Sequence, residues 1–326
     1  MTALAGVLLL LMIAVGGLVG FAAYTARRVE IAVPPQGRFL DLDGERVHYL
    51  DKGAGPALFI IHGLSGQMGN FTYALVGRLA SEFRVVAVDR PGSGYSTRPA
   101  DADASLRAQG RALAKVIRSL NLDRPLIVGH SMGGAIALAI ALDNPECVSG
   151  LALIAPLTEV VKTPPAPFRG LAIPSRFVRW IVAWTLATPL TMLAADRVIK
   201  QVFAPEKAPP DFAIAGGGLL GLRPRTFYAA SSDLLAVNNG FAEMTRRYPA
   251  LSVPVGILFG RGDRLLDYRL HGQGMKEKIA SLHLEVVEGG HMLPITAPDL
   301  VADFIRRIAG MAAATASAPQ GDQGLE

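Results

Sequence analysis

The stretch Gly129-His130-Ser131-Met132-Gly133-Gly134 joins two apolar runs, PLIV at residues 125–128 and AIALAIAL at residues 135–142. The first run is typical of a buried strand and the second of a helix. The stretch itself is a G-x-S-x-G pattern at a strand-to-helix turn, where the glycines let the chain turn sharply and hold a serine hydroxyl at the edge of a sheet. The sequence therefore predicts Ser131 as a nucleophile.

The chain on both sides of this turn alternates between short apolar runs and longer helical patterns. Asp43-Gly44 separates two five-residue segments and is a strong hairpin signal. Apolar strands that alternate with helices predict an α/β fold with a mostly parallel central sheet. The strands are predicted at residues 38–42, 46–50, 58–61, 85–88, 126–128, 151–154, 255–259 and 284–287, and the helices at residues 103–120, 133–142 and 300–308.

One interval is much longer than the others. About 100 residues separate the strands at 151–154 and 255–259, whereas a crossover unit requires roughly 30. Phe177, Trp180 and Trp184 fall there at helical spacing and are candidates for binding substrate, although packing of this stripe onto the sheet is an equally good interpretation. Nine basic and four acidic residues at 157–230 suit an anionic lipid surface. We assign residues 156–230 to an inserted helical cap, residues 29–155 and 231–311 to the core, and residues 312–326 to a flexible tail.

A serine hydroxyl becomes an effective nucleophile when a neighbouring base removes its proton. Of the six histidines, His291 follows the run HLEVV in a glycine-rich loop, from which an imidazole can reach the sheet edge. It is the predicted base. His48, His271 and His283 are predicted to be surface or structural residues. His130 directly precedes the nucleophile, and we expect its side chain to point away from the base.

The base in turn needs a carboxylate that fixes its tautomer. Asp263 lies in the tight turn Phe259-Gly260-Arg261-Gly262-Asp263, after the run VGILF, and is predicted for this role. Asp267, four residues later, and Asp233 remain as alternatives.

The developing oxyanion requires a pair of hydrogen-bond donors. His62-Gly63 ends an early strand, and the glycine lets the following loop turn back over the nucleophile. The backbone N–H groups of Leu64 and Met132 are predicted to form this pair. His62 is expected to have a structural role and to hold the loop through its side chain.

The order Ser131, Asp263, His291, the early His-Gly step and the segment DRPGSGYS at residues 89–96 closely resemble the α/β-hydrolase fold family. The resemblance covers about residues 38–309 and implies an eight-stranded sheet with a lid over the site. GHSMGG behind a membrane-anchoring N-terminus is similar to esterases and monoacylglycerol-lipase-like enzymes. Epoxide hydrolases and haloalkane dehalogenases of the family use an aspartate nucleophile, which the serine at 131 disfavours. Residues 89–92 are expected to form and brace a turn.

Together these residues predict a serine hydrolase that cleaves carboxylic esters of lipid-like or other apolar acyl substrates through an acyl-enzyme. Three alternatives stay open. The same triad could act on an amide, thioester or carbon–carbon bond or transfer an acyl group to an acceptor other than water, since a fold does not fix a substrate. The chain could be an inactive, membrane-tethered binding protein, or it could have a cofactor-free, halide-dependent peroxidase-like side activity.

The composition excludes several other classes of protein. With 51% hydrophobic and 18% charged residues the chain is not disordered, and its single cysteine, Cys147, cannot close an intrachain disulfide. The net charge of +5 comes from scattered residues without a basic run, so nucleic-acid binding is not expected. Because the sequence carries no metal-ligand spacing and no dinucleotide fingerprint, we expect neither a metal nor a cofactor.

Residues 3–24 form an uncharged run of 22 residues. At about 1.5 Å per residue, a helix of this length spans roughly 33 Å, enough to cross a hydrocarbon core of about 30 Å. We interpret residues 1–28 as a single-pass membrane anchor that ends at Arg27 and Arg28, with a cleaved signal peptide and a buried helix as alternatives. The arginines after the run slightly favour a cytoplasmic globular domain and leave its side of the membrane open.

Overall fold

Eight short, mostly aliphatic strands form a single sheet in the computed structural model, which describes residues 2–317. The sheet order is β1-β2-β4-β3-β5-β6-β7-β8, and only β2 runs antiparallel to its neighbours. This confirms the predicted eight-stranded, mostly parallel sheet. The strands are β1 (Arg38–Leu42), β2 (Glu45–Lys52), β3 (Ala57–Ile61), β4 (Arg84–Val88), β5 (Leu126–His130), β6 (Gly150–Ile154), β7 (Val255–Gly260) and β8 (Leu282–Val287).

Helices cover both faces of this sheet. One apolar cluster packs α4, α5 and α9 against the sheet, and a second cluster packs α3 and α12 against the opposite face. The helices are α1 (Thr2–Ala32), α2 (Gly69–Thr72), α3 (Val76–Leu79), α4 (Leu106–Ser119), α5 (Met132–Asp143), α6 (Arg176–Trp184), α7 (Ala187–Phe203), α8 (Pro224–Ala236), α9 (Phe241–Arg246), α10 (Tyr268–His271), α11 (Leu293–Thr296) and α12 (Pro298–Ser317). Short 3₁₀ helices lie at Pro145–Cys147, Ala166–Leu171, Gly218–Leu222, Tyr248–Ala250 and Gln273–Glu277.

The predicted hairpin forms at the residues expected. Asp43 and Gly44 have φ angles of 52° and 80°, the left-handed values that a two-residue turn between twisted strands requires. Each of the other predicted strands overlaps an observed one, and the helices predicted at 103–120 and 133–142 correspond to α4 and α5. The period and composition of the apolar runs were therefore sufficient to find the sheet.

The chain's last described helix is longer than predicted. Helix α12 continues to Ser317, six residues into the stretch assigned to a flexible tail, and residues 318–326 lie outside the described residues. The alanines of this extension favour helix, and Ala312 packs into the apolar cluster beside the sheet. The tail prediction was therefore wrong for residues 312–317.

The cap is helical, but its second boundary differs from the prediction. Ser175 caps α6 by accepting from the Val178 amide, and α7 follows directly. Helix α8 runs without a break across the predicted boundary at residues 230 and 231. Its second half belongs to the core, because Asp233 and Leu234 are buried there. A count of charged and aromatic residues cannot locate a boundary inside a continuous helix.

The N-terminal helix α1 does not end at Arg27 and Arg28 but continues to Ala32. Its first half is exposed, whereas Ala22, Thr25 and Val29 are buried. These buried residues recur at the spacing of one helix face, and α1 contacts α6, α7, α8 and the 3₁₀ helix Gly218–Leu222. Within residues 2–317, α1 is the only unbroken helix that is long and apolar enough to span a membrane. Its most apolar 18 residues have a mean hydropathy of 2.6.

Candidate active site

Ser131 occupies a strained turn between β5 and α5. Its φ of 55° and ψ of −123° lie outside the regions that a serine ordinarily adopts. The turn requires glycine on both sides of the serine. A Cβ at Gly129 would lie 2.7 Å from the carbonyl oxygen of Gly133, and a Cβ at Gly133 would lie 2.3 Å from the carbonyl oxygen of Ile61. Close packing against β3 therefore holds the serine in this conformation.

His291 and Asp263 form a buried pair in the loops that follow β8 and β7. The distance between His291 Nδ1 and Asp263 Oδ2 is 2.7 Å. The other carboxylate oxygen accepts from the amides of Leu265 and Leu266 at 2.8 and 3.0 Å. Burial raises the pKa of Asp263, but the His291 imidazole and these two amides outweigh it, so that the pKa lies below its usual value.

The two loops that carry this pair are held together by their backbones. The Gly262 amide donates to the Gly289 carbonyl at 2.8 Å, and the Arg261 amide donates to the Val287 carbonyl at 2.7 Å. A Cβ at Gly260 would lie 2.4 Å from the Gly289 carbonyl oxygen. Since β7 and β8 are parallel neighbours, their carboxyl ends meet at one edge, which brings residues 263 and 291 together.

The serine and the histidine line one cavity of about 40 Å³. Within residues 2–317, no hydrogen bond joins Ser131 Oγ to His291, whose Nδ1 faces the carboxylate of Asp263. Catalytic hydrogen bonds are often long in the absence of substrate and shorten in the complex. The structure thus brings all three predicted side chains to one place. Among the described residues, the hydrogen bond between the serine hydroxyl and the imidazole is the one contact of the triad that is not formed.

Leu64 and Met132 line the same cavity as the serine. The Gly63 backbone lies so close that a Cβ there would be 2.9 Å from Ser131 Cβ. Neither the Leu64 amide nor the Met132 amide donates to an acceptor among the described residues. Both donors therefore remain available for an oxyanion, as the predicted role requires.

His130 does not point away from the base, and that prediction was wrong. Its ring centroid lies 4.8 Å from that of His291, and its Nε2–H donates to the His291 carbonyl at 2.9 Å. Burial lowers the pKa of His130 to about 3, so the ring is neutral and keeps this donor. This hydrogen bond supports the backbone at His291. The His130 side chain can face the base because the unusual φ of Ser131 ends the regular alternation of side chains along β5.

The aromatic candidates of the cap do not line this cavity. Phe177 is 71% exposed, and Trp180 and Trp184 face a separate groove of about 260 Å³ between the cap and residues 92–102. The cap instead reaches the serine through Pro165 and Phe168, which the sequence reasoning missed. Their signal was the proline-rich segment TPPAPF at residues 163–168. Apolar residues complete the wall: Leu157, Val161, Leu234, Val237, Leu265 and Leu266.

The alternative carboxylates have other positions. Asp267 caps α10 by accepting from the Arg269 amide at 2.9 Å, away from the imidazole of His291. Asp233 is fully buried and bonds to Arg90 at 2.9 Å and Arg98 at 2.6 Å. Of the two, Asp233 belongs to a cluster that supports the site.

That cluster supports the loop beside the serine. Arg90 Nε and Nη2 donate to the carbonyls of His62 and Gly63, each at 3.0 Å, and the Arg90 amide donates to His62 Nε2 at 3.0 Å. His62 Nδ1–H donates to the Gly63 carbonyl at 2.9 Å. Burial and the Arg90 charge lower the pKa of His62 to about 3. Arg90 therefore braces the loop, as expected for residues 89–92.

The three remaining histidines are structural. His48 is buried and bonds to Asp89 at 2.7 Å, and His271 accepts from the Thr158 amide at 3.2 Å. His283 bonds to Glu285 at 2.8 Å near the surface. Within residues 2–317, no group of three or more His, Cys, Asp or Glu side chains is arranged to hold a metal ion.

Comparison with known proteins agrees with the fold. The family model described as alpha/beta hydrolase fold matches residues 56–298. An uncharacterised Mycobacterium tuberculosis protein is 29% identical over 276 residues, 82% of this chain and 79% of its own length. A haloalkane dehalogenase from the same organism is 33% identical over 121 residues, 37% of this chain and 42% of its own length. The crystal structure of a membrane phospholipase A has a TM-score of 0.66 at 23% identity and covers 96% of this chain and 99% of its own. The chain belongs to the alpha/beta hydrolase fold family.

Proposed function

We propose that this protein is a membrane-tethered serine hydrolase that cleaves carboxylic esters of lipid-like or other apolar acyl substrates. The observation that carries the proposal is the 2.7 Å pair between His291 and Asp263, in one cavity with a serine at φ 55°. Nucleophile, base and orienting carboxylate are the three groups that acyl transfer through a serine requires.

In the proposed reaction, Ser131 Oγ attacks the ester carbonyl while His291 Nε2 takes the hydroxyl proton. Asp263 holds the imidazole in the tautomer that leaves Nε2 free and stabilises the imidazolium. The carbonyl oxygen becomes an oxyanion between the amides of Leu64 and Met132. His291 then protonates the leaving alcohol as the carbon–oxygen bond breaks, which leaves an acyl-enzyme. Water then attacks the acyl carbon while His291 takes its proton. The imidazolium returns that proton to Ser131 Oγ as the bond between Oγ and the acyl carbon breaks, which releases the acid and restores the serine.

The preference for apolar acyl groups rests on the wall of the cavity. Except for Ser131 and His291, every residue that lines it is apolar. Burying an acyl chain there would gain about 0.8 kcal/mol for each methylene removed from water. At about 40 Å³ the cavity is far smaller than the roughly 300–1,000 Å³ of ordinary ligand sites, so the cap must move when substrate enters.

The membrane tether rests on α1. Its apolar length suits a single span, and the burial of Ala22, Thr25 and Val29 against the cap favours a retained helix over a cleaved signal peptide. Glu30 strengthens this docking through an ion pair with Arg223 at 3.1 Å. The membrane phospholipase A shares the fold over 96% of this chain, which agrees with such an arrangement.

The test combines active-site labelling with ester hydrolysis. We expect a fluorophosphonate probe to label the wild-type chain in detergent and to leave Ser131→Ala unlabelled. Ser81→Ala, at an exposed serine before β4, is the matched control and should label normally. Hydrolysis of p-nitrophenyl esters should rise with acyl length and disappear in Ser131→Ala.

Two of the alternatives have their own outcomes in these assays. Labelling without ester hydrolysis would indicate that the triad acts on an amide, thioester or carbon–carbon bond instead of an ester. Absence of labelling would support an inactive binding protein and would refute the proposal. A preference for acetyl esters would contradict the assignment to apolar acyl substrates. The tether is checked separately: the chain should stay with membranes in alkaline carbonate, with its N-terminal segment intact by mass.

A further inference from the structure

The cap carries an unusual set of exposed apolar residues. Eight large side chains on or between α6 and α7 are exposed, and Leu193 reaches 84%. Outside α1, only four further large apolar residues among those described are exposed, and they are scattered through the chain. We call the eight residues the cap apolar face: Phe177, Val178, Trp180, Ile181, Leu186, Leu190, Met192 and Leu193.

The cap apolar face is a continuous feature of two helices. On α6, residues 177, 180 and 181 lie on one side at helical spacing. Residue 186 at the N-cap of α7 and residues 190 and 193 within α7 do the same. The two helices meet at 76°, and together they are long and apolar enough for a broken membrane span. Soluble monomers rarely expose a contiguous apolar patch of more than a few hundred Å², so such a face calls for a partner.

The position of α1 identifies that partner. A span of about 30 Å needs about 20 residues, which from Ala3 ends at Ala22. Ala22 is fully covered by protein, and the cap helices α6 and α7 both contact α1. The cap therefore meets α1 at the depth where the helix leaves the hydrocarbon, instead of standing away from the membrane in water.

Charge and side-chain type fit the same position. Arg27 and Arg28 are exposed on α1 immediately after the span, at the level expected for lipid head groups. Arg169 and Arg176 flank the start of the cap apolar face, in a cap with an excess of basic residues. Trp180, which also borders the groove between the cap and residues 92–102, is 55% exposed, and tryptophan is enriched where a protein crosses the membrane interface.

We propose that the cap apolar face is seated in the acyl region of the lipid leaflet from which α1 emerges. The inference rests on the membrane tether of the proposed function and adds the second membrane contact, through the cap. It makes α6 and α7 an interfacial pair, with their apolar side buried about 5–10 Å into the boundary between head groups and acyl chains. A second copy of this chain on the same face is the competing occupant, and the experiment distinguishes the two.

Tryptophan fluorescence gives a direct test, because the only two tryptophans of the chain, Trp180 and Trp184, both lie on α6. The full chain is reconstituted in phosphatidylcholine and phosphatidylglycerol vesicles, with or without bromine atoms on the upper acyl chain. The single-tryptophan variant Trp184→Phe reports the exposed Trp180. We expect brominated lipid to reduce its emission roughly twofold, as contact with the acyl region requires.

Two further variants separate the cap from other exposed apolar positions. The double substitution Phe177→Gln with Leu193→Gln is made in the Trp184→Phe background. It should weaken the quenching of Trp180, because a less apolar face enters the acyl region less deeply. Leu270→Gln, at a residue on α10 of the core that is 52% exposed, is the matched control and should leave the quenching unchanged.

Each outcome has a separate meaning. Chains that float with the vesicles but show no quenching of Trp180 would overturn the seat and leave the tether standing, and cross-linked dimers under those conditions would assign the face to a second copy. Chains that do not float would overturn both the tether and the seat. Fluorophosphonate labelling of Ser131 is read on the same samples, so that a failure of the catalytic assignment is seen independently.

Discussion

Asp233→Asn tests the buried charge cluster that links α8 to the loop beside the serine. The Asp233 carboxylate is fully buried between Arg90, which is also fully buried, and Arg98, which is nearly so. Asparagine has almost the same size and keeps one acceptor oxygen, but it removes the charge. Both guanidinium groups then lose the carboxylate to which they are bonded.

The magnitude follows from the burial of the cluster. Removing one partner of a buried ion pair destabilises a protein by about 3–5 kcal/mol, because the remaining charge is left without compensation. We expect the free energy of unfolding of Asp233→Asn to fall by this amount, a large part of the about 5–15 kcal/mol that is typical of a whole protein. Arg90 also braces the carbonyls of His62 and Gly63, so fluorophosphonate labelling of Ser131 should slow.

The control is Asp303→Asn, at an exposed ion pair on α12. Asp303 bonds to Arg306 at 2.8 Å and is 61% exposed, and such pairs contribute about 0–1 kcal/mol. Urea unfolding of both variants, followed by circular dichroism at constant detergent, gives the two free energies by linear extrapolation. A loss below about 1 kcal/mol in Asp233→Asn, equal to that of the control, would refute the buried-charge reasoning.

Three further substitutions test the site and its support. Asp263→Asn should lower kcat about 10⁴-fold by releasing the imidazole tautomer, whereas Asp267→Asn keeps the cap of α10 and should leave kcat unchanged. Burial lowers the pKa of His130 to about 3. As the pH falls below about 6.5, His130 therefore takes up a proton in the unfolded chain but not in the folded one. The free energy of unfolding then decreases by up to about 1.4 kcal/mol per pH unit. His130→Asn should make urea midpoints between pH 7 and 5 less dependent on pH. Gly133→Ala places a Cβ 2.3 Å from a β3 carbonyl oxygen and should prevent stable folding, whereas Gly310→Ala, in open space on α12, should raise the free energy of unfolding by about 0.5–1 kcal/mol.

The parts of the site that could be predicted from the sequence are those fixed by the backbone. Ser131 was identifiable because a strand, a glycine-flanked serine and a helix leave the chain only one sharp turn. Asp263 and His291 were identifiable because each follows a strand of the same parallel sheet, so that both reach its carboxyl edge. Asp267 also follows β7, but its carboxylate accepts the capping hydrogen bond of α10 and so does not orient His291. The spacing of residues alone does not reveal this capping bond.

The errors concern what a side chain faces. The spacing of Phe177, Trp180 and Trp184 correctly indicated a helix with one apolar side, but such a pattern does not say what covers that side. Phe168, which does line the cavity, lies in a 3₁₀ helix too short to have a recognisable period. His130 was misjudged because the alternation of a strand ends at a residue with positive φ.

The walls of the cavity differ in how firmly they are held, which indicates how a substrate enters. Helix α8 supplies Leu234 to the cavity, and its C-cap residue supplies Val237. The helix is tied to the core by the buried Asp233 carboxylate and to α1 through Arg223, next to its start. The 3₁₀ helix Ala166–Leu171 supplies Phe168 and has no buried residue. A cavity of about 40 Å³ must widen to admit substrate. Displacing α8 would break a buried ion pair at a cost of about 3–5 kcal/mol, so we expect Ala166–Leu171 to be the segment that moves. Its backbone amides should therefore exchange with deuterium faster than those of α8, and equal protection of the two segments would contradict this division between a fixed and a moving wall.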